Sequence, residues 1–254
     1  MSKFVDSLLL EGVFDPGILK AVFMGGGPGS GKTTIASVLF DVPNESDMRW
    51  ASFSASGLKL VNPDRAFIMG LIKAGYDPAK LASIPDEEVE RIIGGDHPGP
   101  NTIRGKAKAA SAHAYELHKD SRLGMLIDGT AGNFPKISMQ HDELENLGYD
   151  TSLVFVNTTL AVAMARNKAR SRVVKDEVVI GTWHECQDNL QKLRGLFSPR
   201  FEIVENNEAT EPGKLPSGVT SAIASRIQRF VSQPLQNPKG IAWKAGMEKI
   251  RQRM

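Results

Sequence analysis

Short apolar runs alternate with stretches of helical spacing along most of this chain. The runs are KAVFM (20–24), LKLVN (58–62), GMLID (124–128), SLVFVN (152–157) and FEIVE (201–205). Each is too short for a stable helix and nearly continuous in apolar residues, the pattern of strands buried on both faces. Between them, residues 32–40, 65–74, 102–119, 135–147, 159–172 and 177–196 repeat apolar positions every three or four residues. This alternation predicts a three-layer α/β/α fold, with helices on both faces of a five-stranded, mainly parallel sheet.

Two stretches break the rhythm. PDEEVERIIGGDHPGPNTIRG (85–105) sets Gly-Pro-rich turns around a short helix and reads as an excursion at the sheet edge, where α/β enzymes commonly hold substrate. NNEATEPGKLPSG (206–218) is turn-rich and is followed by VTSAIASRIQRFV, which returns to helical spacing. The reading therefore divides the chain into a core domain, 1–211, and a C-terminal helical appendage, 212–254. The appendage ends in a basic segment with Lys239, Lys244, Lys249, Arg251 and Arg253 around Trp243. Asp176 or a neighbour is the expected cap of the last core helix.

Composition narrows the function classes. The 254 residues hold 31 Lys and Arg against 29 Asp and Glu, so no global field favours nucleic acid or a membrane surface. The only cysteine is Cys186, which excludes an internal disulfide and a cysteine-based zinc site. His113 and His118 are five apart and off a common helical face, and His184 lacks a second ligand pair, so no histidine metal set is expected. The apolar runs fall far short of a membrane span, and MSKFVDSLLLEGVF lacks a signal-peptide core. A soluble, cytoplasmic protein without membrane contact is the expectation.

The chemistry starts at GGGPGSGKTT (25–34), between the first run and a helical segment. Gly26, four residues, then Gly31-Lys32-Thr33 is the phosphate-binding P-loop spacing in its required strand-to-helix context. Glycine lets backbone amides approach phosphate oxygens, and the helix start adds its positive end. The nucleotide-binding set is thus Gly26, Gly27, Pro28, Gly29, Ser30, Gly31, Lys32, Thr33 and Thr34. Lys32 is placed to reach the β- and γ-phosphates and Thr33 to ligate Mg²⁺. The chain carries no guanine-reading NKxD sequence, which favours ATP.

A donor needs an acceptor site, and two strand ends offer one. VNPDRAF places Asp64 at the carboxyl end of the second strand, where it can take a proton from an attacking hydroxyl. Asn62-Pro63-Asp64 also reads as an ordinary strand exit and helix cap. LIDGT places Asp128 at the third strand's end, suited to holding Mg²⁺ or the substrate hydroxyl. In RNKARSR, Arg166 and Arg170 share a helix face, with Arg172 just beyond. Such cations can close over ATP and stabilise charge on the transferring group, although charge runs on helices are usually solvated.

Taken together, GGGPGSGKTT, VNPDRAF, LIDGT and RNKARSR resemble the zeta-toxin-like P-loop kinases, including phage-encoded members, over residues 8–207. The phage polynucleotide kinases are a more distant likeness. The resemblance implies a P-loop NTPase fold, ATP and Mg²⁺ as cofactors, and transfer of the γ-phosphoryl to a substrate hydroxyl. It assigns Lys32 and Thr33 the loop roles, Asp64 the base, and Asp128 a substrate-contacting acid. It also implies a host-cytoplasm setting if the chain is phage-encoded. Two positions depart: Phe67 stands where the toxins commonly carry arginine, and Asp128 where they often carry glutamate.

The sequence therefore predicts an ATP-dependent kinase acting on a hydroxyl of a small molecule or nucleotide. Its alternatives are a nucleic-acid hydroxyl kinase, with the basic tail as a local footprint, and an ATP-binding switch or virion-associated interaction protein with little catalysis.

Overall fold

The computed structural model describes residues 13–15, 17–40, 56–78, 80, 84–94, 99–169, 174–208, 216 and 218–253. Five strands, β1 (Lys20–Gly25), β2 (Lys59–Val61), β3 (Met125–Asp128), β4 (Asp150–Asn157) and β5 (Phe201–Glu205), form one sheet in the order β2-β3-β1-β4-β5. Every neighbouring pair is parallel. The helices are α1 (Lys32–Phe40), α2 (Pro63–Lys73), α3 (Asp86–Ile93), α4 (Ile103–Asp120), α5 (Phe134–Leu147), α6 (Leu160–Lys168), α7 (Asp176–Phe197), α8 (Ser221–Ser232) and α9 (Pro238–Gln252).

Two apolar layers hold this sheet. On one face, Tyr115 of α4, Leu144 of α5 and Cys186, Leu193 and Phe197 of α7 pack on β1, β3 and β4. On the other, Ile35, Leu39 and Phe40 of α1 meet Ile227 and Phe230 of α8 across Val22, Leu126 and Val154. A smaller cluster of Phe67, Leu71, Ile92 and Ala107 ties α2, α3 and α4 together beside the sheet. The chain runs from β1 to β2 and β3 on one side, then crosses to β4 and β5 on the other. The crevice where strand order reverses thus opens at the carboxyl end of β1.

The elements differ from the sequence reading where polar residues have distant partners. β4 begins at Asp150, two residues earlier than the apolar pattern suggests, because Asp150 and Thr151 are buried and satisfied. Asp150 accepts from Lys20 Nζ at 2.7 Å and from the backbone N–H groups of Gln236 and Asn237 at 3.0 and 2.9 Å. Burial lowers the Lys20 pKa, against the pull of Asp150. Thr151 Oγ1 donates to Glu145 at 2.7 Å. Asp176 proves to be the first helical residue of α7 rather than its cap; Lys175 holds that place without a side-chain cap bond. Acidic side chains there still favour the positive end of the helix.

The C-terminal helices lie against the same sheet. α8 contributes Ile227 and Phe230 to the second core layer, and Trp243 and Met247 of α9 pack on the first. Trp243, set among the basic residues of the last segment, is therefore engaged in packing. No helix among the described residues is long and apolar enough to cross a membrane.

Candidate active site

The loop from Gly25 to Lys32 wraps the carboxyl end of β1, and its shape depends on glycine at two close approaches. Gly29 has φ +76° and its α-carbon lies against the backbone of Ala163 in α6, where a β-carbon would collide with the carbonyl. Gly31 has φ +88° and lies against the Asn206 side chain with the same consequence. A side chain at either position would be both strained and obstructed. α1 begins at Lys32, so its first-turn amides have no intrahelical carbonyls ahead of them.

Lys32 turns back into the loop. Its Nζ donates to the carbonyls of Gly26 at 2.7 Å and Gly27 at 3.2 Å, which centres a positive charge in the hollow. Thr33 and Thr34 follow in the first turn of α1, the former half-buried and the latter exposed. Pro28 is half-buried in the turn closed by Ser30 N and Gly27 O, at 3.3 Å.

Two carboxylates lie at neighbouring strand ends beside this loop, and the Lys32 charge acts on one of them, Asp128. β1 and β3 align Met24 with Asp128, while β2 and β3 align Val61 with Ile127, so Asn62 emerges beside Asp128. Asn62 Nδ2 donates to Asp128 Oδ2 at 2.8 Å, and Asn62 Oδ1 accepts from the Asp64 backbone N–H at 2.7 Å. One amide side chain thus caps α2, which carries the exposed Asp64 in its first turn, and pins the second carboxylate. The cap reading of Asn62 and the site reading of Asp64 are compatible in one geometry.

Burial pushes the Asp128 carboxyl up to about 6, with the nearby Asp64 charge adding to the rise; Lys32 and the Gly129 amide pull the other way. The Lys32 and Asp64 charges therefore both act on Asp128. Asp128 Oδ1 is buried without a hydrogen-bond partner, an orphaned hard oxygen.

This carboxylate should cost stability when ionised. Its folded pKa lies near 6, above the roughly 3.9 of an unfolded aspartate, so its contribution is most favourable below about pH 4 and declines as pH rises through about 6. Asp128→Asn is accordingly expected to raise the melting temperature of the ligand-free protein by a few degrees at about pH 8, with little change near pH 4. Thermal melts across that range check it. Equal melting of the two proteins at alkaline pH would contradict the buried, charged state.

Arg166 reaches the loop from the other side. Its guanidinium donates to Asn206 O at 2.8 Å, Glu208 O at 2.7 Å and Ser30 O at 3.4 Å. Asn206 Nδ2 also donates to Ser30 O, at 2.8 Å. Arg166 and Asn206 together fasten the loop to the exit of β5. α7 closes over it too: the Gly27 backbone lies near Trp183, whose Nε1 donates to Thr158 O at 2.8 Å. Sequence reasoning passed over Asn62 and Asn206 as site residues; the available signal was a polar residue just past each strand end. Arg170 and Arg172 lie outside the described residues.

On the acceptor side, Phe67 is buried in the α2–α3–α4 cluster, so the position where the toxins carry arginine offers no cation here. An exposed cluster of cations lies on α4 and α5. Burial lowers the pKa of Lys108, and the charges of Arg104 and Lys136 lower it further. Arg104 and Lys108 are one turn apart near the start of α4, and Lys136 is in the first turn of α5, just after the loop that follows Asp128.

No protein-family model and no curated protein matches the chain. Among solved structures, the AvrRxo1-ORF1:AvrRxo1-ORF2 complex with sulphate ions aligns over 97% of this chain and 84% of that chain, at 12% identity and a TM-score of 0.51. The PezAT chromosomal toxin-antitoxin system of Streptococcus pneumoniae aligns over 100% and 98%, at 14% identity and a TM-score of 0.47. At 12% identity the first of these likenesses is one of fold.

Proposed function

We propose that this chain is an ATP-dependent phosphotransferase that moves the γ-phosphoryl group to a hydroxyl of a small molecule or nucleotide. The observation that carries the reading is the juxtaposition of the Lys32 ammonium, inside a glycine loop, with Asp64 and Asp128 at the ends of β2 and β3. A cation at the donor phosphates and a carboxylate at the acceptor are what in-line transfer between oxygens requires. Lys32 holds the β- and γ-phosphates, and the amides of the loop and of α1 line the phosphate chain.

The donor set also fits Mg²⁺. Among the described residues no three His, Cys, Asp or Glu side chains gather, but Mg²⁺ commonly uses only one or two protein oxygens beside phosphate and water. Thr33 Oγ1 and the orphaned Asp128 Oδ1 are the oxygens that would hold it. When bound, the ion neutralises charge on the phosphate oxygens.

Asp64, exposed at the crevice and fixed by the Asn62 cap, takes the proton of the acceptor hydroxyl. Arg166 steadies the loop through its three backbone carbonyls, and the same guanidinium, beside Gly31, supplies positive charge at the donor end. The clustered cations Arg104, Lys108 and Lys136 favour an acceptor that itself carries negative charge, because like charges held together gain when an anion joins them.

The test is incubation of the purified chain with Mg²⁺ and γ-labelled ATP against pooled metabolites, nucleotides, phosphorylated sugars and oligonucleotides. Label is expected on one class of hydroxyl-bearing, anionic acceptor. ATP binding without label transfer to any pool would overturn the enzyme reading in favour of a nucleotide-operated switch.

A further inference from the structure

The sheet ends on β5, and among the described residues no strand pairs with its outer edge. Leu153 N donates to Arg200 O at 3.0 Å and Asn206 N to Asn157 O at 2.8 Å, so even-numbered residues of this stretch face β4. The alternation of a strand then turns the N–H and C=O groups of Phe201 and Ile203 outward. No described residue pairs with them. At the carboxyl end the edge is closed by the chain itself, since Gly218 lies directly against the Glu205 backbone. Beside Phe201 and Ile203 it opens into a groove of about 400 Å³, walled by Arg194 and Pro199 on one side and Ile223 and Arg226 on the other.

We propose that this groove takes an extended, acidic segment of a partner protein, which pairs with β5 as a sixth strand. The outward amides and carbonyls supply a sequence-independent ladder, and the cavity receives alternate side chains of the added strand. Phe201, Ile203 and Ile223 give it apolar surface. Charge selects the occupant. Arg226 is already spent on Glu202, through bonds of 2.5 and 2.7 Å. Arg194 lies 5.7 Å from the Phe201 ring centre and has no carboxylate partner among the described residues. Two arginines against one glutamate leave the rim with one positive charge. A second copy of this chain would bring the same positive rim to a two-fold contact and is disfavoured by it.

The experiment uses the full chain and a fluorescent hexapeptide that alternates glutamate and valine, followed by anisotropy. Saturable binding is expected, on the order of tenfold weaker for Arg194→Glu and for a lysine-valine peptide. Ile203→Pro removes one outward N–H while leaving the bonds to β4, and should weaken binding similarly. An N-methylated peptide blocked along one edge should not bind. ATP binding, which involves neither residue, should be unchanged in both variants and shows that they fold. Amide exchange at Phe201 and Ile203 should slow when the peptide is added. Absence of saturable binding, equal affinity for the lysine peptide, or variants that bind like the wild type would each overturn the proposal. So would concentration-dependent dimerisation abolished by Ile203→Pro, which would assign the edge to a second copy.

Discussion

Asp64→Asn is expected to lower phosphoryl transfer by about 10²–10⁴-fold while ATP affinity stays near that of the wild type. The substitution keeps the shape of the first turn of α2, and the Asn62 cap acts on the backbone N–H of residue 64, which is retained. What disappears is the proton acceptor. In a loose transition state the hydroxyl loses its proton late, so the loss should lie at the lower end of that range if positioning dominates, and at the upper end if proton removal does. Single-turnover transfer measured beside ATP titration separates the two steps. Transfer at the wild-type rate in Asp64→Asn would remove Asp64 from the chemistry. A large fall in ATP affinity would show that the residue serves the donor instead.

The removal of one negative charge has a second consequence. Asp64 contributes to the raised pKa of Asp128, so Asp64→Asn should bring the Asp128 carboxyl down from about 6. Any acid limb in the residual activity should then move to lower pH. This shift distinguishes a change in the electrostatics of the site from a simple loss of contact.

The parts of the site that could be read from sequence are those whose logic is local. Glycine spacing from Gly26 to Gly31 implies a phosphate loop within one turn of chain, and Asp128 ends one apolar run while Asp64 follows another by two residues, which puts both at the sheet's carboxyl edge. The fold followed from the same runs, because a strand covered on both faces has few polar positions to confuse the pattern. What could not be read are pairings across long separations. Asn62 meets Asp128 across 66 residues, and Arg166 meets Ser30 across 136. Local spacing contains nothing that couples such positions. Asp150 shows the same limit in the fold: at the head of a strand it breaks the apolar pattern, and only its pairing with Lys20, 130 residues away, makes that break compatible with burial.

Arg166 illustrates a subtler gap. Its place on a helix after β4 suggested a cation free to close over ATP, but its guanidinium is committed to three carbonyls of the loop and of the β5 exit. Planar, five-donor geometry suits arginine to such a brace. Its influence on a bound nucleotide therefore includes the shape of the loop as well as its charge.

Lys32→Ala is the complementary test, and its expected loss is about 10²–10³-fold in kcat, with weaker ATP binding in addition. The ammonium donates to the carbonyls of Gly26 and Gly27, so its removal leaves these oxygens beside an anionic ligand with no cation between them. Repulsion then replaces attraction where the phosphates lie. Lys32→Arg should recover little, because a planar fork cannot take the place of a compact ammionium-sized charge between two carbonyls. Lys32 also holds the Asp128 pKa down, so its loss should raise that carboxyl above about 6 and shift any acid limb upward, opposite to the shift from Asp64→Asn. Opposite displacements from the two variants, measured as pH profiles of residual transfer, are what a single coupled site requires. Displacements in the same direction, or none, would mean that Lys32 and Asp64 do not act on one carboxylate, and the donor and acceptor halves of the site would have to be assigned separately.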